Sequence, residues 1–225
     1  SASLVGSEMC IRDRFNGLHH GTYIKIGNDL NIERKQDKEE NMDFLDKRVG
    51  VICNELKKLK VKQVFPLTQW EYKEGNFIHP EDALKDEAAW ENFDCKTMHW
   101  YGKDRHYWFR TTYTVPEELD GKSIWIRVSS QIDEWDDGRN PQFIVFVNGE
   151  VYQGIDMNHR ECLITRSGKA GETLTIDLQA YTGIMHEEFA LRTQIEEIDA
   201  EIEKLYYDLW VPLACLLYTS DAADD

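Results

Sequence analysis

The feature that most constrains this chain is a change of hydrophobic period at Tyr107. From there apolar residues recur at every second position in short runs, and each run ends in turn residues. Tyr107–Val115 reads YWFRTTYTV, aromatic or β-branched at every position but Arg110, which favours a strand. Pro116–Lys122 (PEELDGK) is a turn with Asp120-Gly121 near its end. Ser123–Ser130 (SIWIRVSS) alternates apolar and polar. Gln142–Tyr152 (QFIVFVNGEVY) carries Asn148-Gly149 at its centre, the pair that suits a type I′ hairpin. Glu161–Thr165 and Glu172–Ala180 supply two further strands. Short strands at near-regular spacing imply a mainly β fold, an antiparallel jelly-roll-like β-sandwich.

Upstream, Met42–Lys60 has the other period. Leu45, Val49, Ile52, Leu56 and Leu59 step by three and four, so a helix is expected. Val64–Glu74 (VFPLTQWEYKE) reads as extended, and His79-Pro80 opens a short helix with acids in its first turn. Downstream, Ile195, Ile198, Ile202, Leu205 and Leu209 also step by three and four between acidic residues. Glu187–Trp210 is therefore expected to be one long amphipathic helix with a narrow apolar seam, stopped by Pro212. The segments are expected to divide as 15–62 (loop and helix), 63–182 (sandwich) and 183–213 (last helix).

The tails at 1–14 and 214–225 look foreign to this pattern. Met9–Asp13 and the first two bases of the Arg14 codon can be encoded by ATG TGT ATA AGA GAC AG. The reverse complement of that string, in a shifted frame, encodes Cys215-Leu216-Leu217-Tyr218-Thr219. One inverted DNA element, similar to a transposon-end sequencing adapter, accounts for both, and both tails are expected to be non-native. Setting Cys10 and Cys215 aside leaves Cys53, Cys95 and Cys162, widely spaced, which implies reduced structural thiols and a cytoplasmic protein.

Net charge is −16 over 225 residues, and about −12 without the tails. An acidic surface without a basic stripe argues against nucleic acid and anionic membranes as partners. No apolar run reaches the length of a membrane helix.

Chemistry-bearing motifs are sparse. There is no G-x-S-x-G elbow, glycine-rich phosphate loop, H-E-x-x-H or paired CxxC. His19-His20 lacks a third metal ligand at a suitable spacing, and a loop is the better reading. Asp133, Glu134, Asp136 and Asp137 surround Trp135; an acidic surface loop is favoured over a calcium site, because EF-hand spacing is absent. Gly154–Glu161 (GIDMNHRE) places Asp156, Asn158, His159 and Arg160 between two strands. They are read either as a binding loop or as residues that satisfy turn backbone.

Several stretches in order carry a family resemblance: PLTQWEYKEG, WFRTTYTVPEELDGK, WDDGRNPQFIVFVNGEVYQGIDMNHRE, AYTG and LYYDLWVPL. Together they resemble the N-terminal region of bacterial-type α-mannosidases of glycoside hydrolase family 38, over about Met42–Leu213. The resemblance implies a parent enzyme that releases terminal α-linked mannose with retention, using zinc and an Asp nucleophile in a catalytic domain that would follow the last helix. The family's zinc motif, H-x-D, does not occur in this chain, so no catalytic or metal-binding residue carries over.

Three readings of the chain follow. It is a non-catalytic module partnered by its own catalytic domain through Ile195, Ile198, Ile202, Leu205 and Leu209. Alternatively it is a carbohydrate-binding module, with Trp135 or Trp100 as a sugar platform and Asp156, Asn158, His159 and Arg160 as contacts. The third is a structural unit that forms a homo-oligomer through the last helix.

Overall fold

The computed structural model describes residues 31–130 and 139–221, with side chains described over 44–130 and 139–217. The acidic loop around Trp135 and the His19-His20 pair lie outside the described residues. The chain divides into Ser1–Leu45 and Asp46–Asp225. Helix α1 (Asn31–Leu59) spans the boundary. It begins eleven residues before the expected start. Its opening, NIERKQDKEEN, has no apolar seam but is rich in Glu, Lys, Arg and Gln, which favour helix on propensity alone.

Among its described residues the second unit has twelve strands, all paired antiparallel. In chain order they are β1 (Val61–Leu67), β2 (Gln69–Glu74), β3 (Glu91–Asp94), β4 (Trp100–Gly102), β5 (His106–Thr114), β6 (Ile124–Ser129), β7 (Gln142–Val147), β8 (Glu150–Ile155), β9 (Glu161–Thr165), β10 (Thr173–Tyr181), β11 (Glu187–Phe189) and β12 (Arg192–Ile198). One sheet has the order β1-β12-β6-β9, the other β3-β2-β5-β10-β7-β8, and β11-β4 forms a small ribbon. Two sheets face each other over a single core, so the expected antiparallel sandwich is present.

The core follows from strand alternation. Ile124, Ile126 and Val128 of β6, and Cys162 and Ile164 of β9, point inward from the smaller sheet. Phe109, Leu174, Ile176, Leu178, Val145 and Val147 oppose them from the larger one. Burying an apolar side chain of this size contributes roughly 1.5–3 kcal/mol. Trp100 in β4 closes one end of the layer. It is 2% exposed, and its ring centroid lies 5.0–5.7 Å from those of Tyr107, Phe109, Phe143 and Phe189. This burial removes Trp100 as a sugar platform: its face is already covered by core aromatics.

The outer face of the larger sheet is covered by residues 75–90, including helix α2 (Pro80–Lys85). Lys73, 4% exposed, holds that cover down. Its ammonium donates to the carbonyls of Ala83 (2.9 Å), Asp86 and Ala88 and to Asp86 Oδ1 (2.8 Å), and it lies 5.3–5.4 Å from the rings of Phe77 and Trp90. Its hydrogen bond keeps the Asp86 carboxyl below the usual carboxylate range. Beside it, Arg110 grips fully buried Asp177 with two nitrogens, at 2.6 and 3.0 Å.

The Asn148-Gly149 hairpin forms as expected, with positive φ at both residues (52° and 87°), as a type I′ turn requires. The expected helix Glu187–Trp210 does not form as one element. Its first half is β11 and β12, and only Ala200–Asp221 is helical (α3). Ile195 and Ile198 are thus strand residues, 0% and 2% exposed, and not part of a helix seam. A spacing of three or four is compatible with either period over so short a run. Pairing decided it: β12 fills the place between β1 and β6, where Ile195 opposes Phe65 on one side and Ile126 on the other. The sandwich therefore extends over 61–198 rather than 63–182. Of the remaining seam residues, Ile202 and Leu209 are half-buried and Leu205 is 48% exposed. Pro212 does not stop α3 but lies inside it. It leaves the Asp208 carbonyl without its helical donor at a point where the helix is exposed to solvent.

Candidate functional site on the smaller sheet

Outward-pointing positions of the smaller sheet gather charge. Lys60 follows α1 directly, and α3 leaves from the end of β12 beside it, where the Asp199 amide donates to the Lys60 carbonyl at 2.8 Å. Arg127 of β6 lies opposite Gln194 of β12 and opposite Glu161 of β9. The Lys60 ammonium binds Glu161 Oε2, and Arg127 donates to Glu161 Oε1 at 2.7 Å. Lys60 is 3% exposed, and its ammonium sits 5.9 Å from the Tyr206 ring of α3.

Glu196 is the group left over. It is 2% exposed, Gln194 Nε2 donates to its Oε1 at 2.5 Å, and its Oε2 has no hydrogen-bond partner among the described residues. Burial pushes its carboxyl above the usual range, and the nearby Glu161 adds to this. Gln194, Arg127 and Lys60 pull the other way. Two cations and two carboxylates give a self-neutralising network. Both Glu161 oxygens are already bound, so the pair is not the two free carboxylates that a glycosidic bond would require.

Next to this network, at one end of the sheet, lies an open groove of about 430 Å³. Its floor is Leu67, Ala190 and Leu191, and Gln194 joins it to the charged network. Its remaining wall includes Cys95, whose thiol burial pushes to about 11. Such a thiol stays protonated and is no nucleophile near neutral pH.

The 156–160 loop is a turn that carries the chain from β8 of the larger sheet to β9 of the smaller. Asp156 Oδ1 accepts from the Asn158 amide (2.8 Å), the His159 amide (2.7 Å) and faces His159 Nδ1 (3.0 Å). Arg160 Nε donates to the Met157 carbonyl at 3.0 Å. Asp156 thus serves the turn backbone, as its residue type allows. Asn158 and His159 are exposed, and Arg160 is half-buried. The residue the sequence reading passed over is Glu161, the last of that motif, which anchors the ion network. Lys60 and Glu196 were also missed. Glu196 sits on the polar side of an alternating strand, a signal hidden while that stretch reads as helix.

Among the described residues, no group of three or more His, Cys, Asp or Glu side chains is placed to hold a metal ion. Cys53, Cys95 and Cys162 are free thiols. No helix among the described residues is long and apolar enough to cross a membrane.

No family model matches the chain, and no curated protein matches it. Solved structures of β-glucuronidase from Ruminococcus gnavus do. The complex with D-glucuronic acid gives 12% identity and a TM-score of 0.41, over 61% of this chain and 30% of that one. The complex with D-glucaro 1,5-lactone gives 13% identity and a TM-score of 0.41, over 63% and 30%. The chain thus spans less than a third of the glucuronidase chains it matches. The sandwich itself rests on the strand pairing described above.

Proposed function

We propose that this chain is the non-catalytic β-sandwich region of a longer glycoside hydrolase, an α-mannosidase similar to family 38. In that reading its role is to support and partly wall a catalytic domain that lies beyond α3. One observation carries it. Helix α3 leaves the sandwich with Leu205, Tyr207 and Trp210 exposed at 38–48%, more apolar surface than a solvent-facing helix needs. The ordered motifs support the family: NPQF opens β7, the Asn-Gly pair turns the hairpin, and D-x-N-H-R-E builds the β8–β9 turn and the Glu161 anchor.

The parent's substrate would be a glycan ending in α-linked mannose, and its zinc would sit in the partner domain. The described residues of this chain offer zinc no ligand set, and no step of the reaction is assigned to them. The chain alone is expected to leave 4-nitrophenyl α-mannoside intact, with or without added zinc. Supplied in trans, it is expected to restore soluble expression to a family 38 enzyme stripped of the corresponding region. Turnover by the chain alone, or no rescue, would overturn the proposal.

A further inference from the structure

We propose that the groove beside β12 binds a small anion, a carboxylate or phosphate ester on a body of monosaccharide size. The chain has 42 acidic residues against 26 Lys and Arg. A groove drawn at random from its surface would carry more acids than bases. This one is lined by Lys96, His99 and Arg192 and by no Asp or Glu.

The cations are available. Neither Lys96 nor Arg192 makes an ion pair among the described residues. The nearby Asp94 carboxylate is engaged by the Lys96 backbone amide at 3.0 Å. His99 has an acid at hand, Glu188, with Nδ1 at 3.8 Å, and Glu188 is itself exposed. Three elements place the basic groups on one opening: the turn after β3, the approach to β4, and the start of β12.

The floor beneath is neutral. Leu67, Ala190 and Leu191 are apolar and buried, and the Cys95 thiol is protonated. Gln194 spends its Nε2 on Glu196, which leaves its carbonyl oxygen to accept from a ligand hydroxyl. A cationic rim over a neutral floor suits a ligand with one charged end and a compact polar body. The volume, about 430 Å³, lies within the range of small-molecule sites. This inference does not depend on the mannosidase reading, since the groove lies wholly within the sandwich.

The test is a titration of the full chain with D-glucuronate, glucose 6-phosphate, inorganic phosphate and neutral glucose, followed by calorimetry and by amide chemical shifts. At least one sugar anion is expected to bind saturably, about tenfold or more tighter than glucose, with shifts at residues 95–99 and 190–194. Preference for glucuronate identifies the carboxylate as the recognised group, and preference for the sugar phosphate identifies the phosphate. The exposed double variant Lys96→Gln/Arg192→Gln should keep its Tm and lose about tenfold or more in affinity. The proposal fails if no sugar anion saturates by about 10 mM, if glucose or inorganic phosphate binds as well, or if the double variant binds unchanged.

Discussion

Glu196 shows what a single residue in this fold costs. Its carboxylate is taken out of water with one oxygen unpaired, while Gln194 serves the other. Because burial raises its folded pKa above the unfolded value, the native state holds the proton more tightly. Ionised Glu196 therefore lowers stability above its folded pKa, and that cost vanishes as pH falls toward the unfolded value. Glu196→Gln is expected to raise Tm near neutral pH, and the gain should close as the pH drops through the carboxylate range. A variant with an equal or lower Tm at pH 7 would show that Arg127 and Lys60 outweigh burial. Tyr113 presents a parallel case without charge: its buried hydroxyl has no hydrogen-bond partner among the described residues, and burial pushes its pKa to about 12.

Elements were legible where local chemistry and tertiary need agreed. Asn148-Gly149, His79-Pro80 and the alternation of SIWIRVSS each name their own structure. They do so because the residues tolerate few other backbones. The stretch 187–198 was not legible. Its two isoleucines fit a helix, and only the vacancy between β1 and β6 selects a strand. The ion network was hidden for the same reason, since three of its members come from β6, β9 and β12. A close approach elsewhere supplies a test at this scale. Gly168 accepts no side chain, because a Cβ there would lie 2.8 Å from the Leu119 carbonyl oxygen and 2.5 Å from Ile124 Cδ1. The 117–122 turn is tied to this segment through the Gly121 amide on the Gly168 carbonyl and the Gly168 amide on the Lys122 carbonyl. Gly168→Ala is expected to cost about 1–3 kcal/mol in a denaturant titration, by pushing the turn off β6. A cost within error of zero would mean that the turn yields freely.

For the molecule as a whole, the sandwich is self-sufficient and its helices are not. Val51, Ile52 and Leu59 of α1 stand 47–63% exposed, and α3 adds its own apolar positions. The chain is expected to self-associate as concentration rises, with sedimentation showing mass above the monomer. Leu205→Lys with Trp210→Lys should return it to monomer without loss of Tm, because neither side chain is in the core. Ile198→Asp is no test of association, since it would place a charge at a buried position and unfold the sheet. A monomer at all concentrations would remove the apolar helix surface as an argument for a covering domain.

Between the last paired residue of β12 and the first turn of α3 stands one residue, Asp199. Its carboxylate accepts from the Glu201 and Ile202 amides, and its own amide is tied to Lys60. There is no slack at this joint. Strand and helix behave as one bent bar, with its short arm clamped between two neighbouring strands. A tilt of the helix tip must then strain β12 against β1 and β6. Anything fastened to that helix would inherit the heading of the sheet, aimed by the sandwich rather than tethered to it.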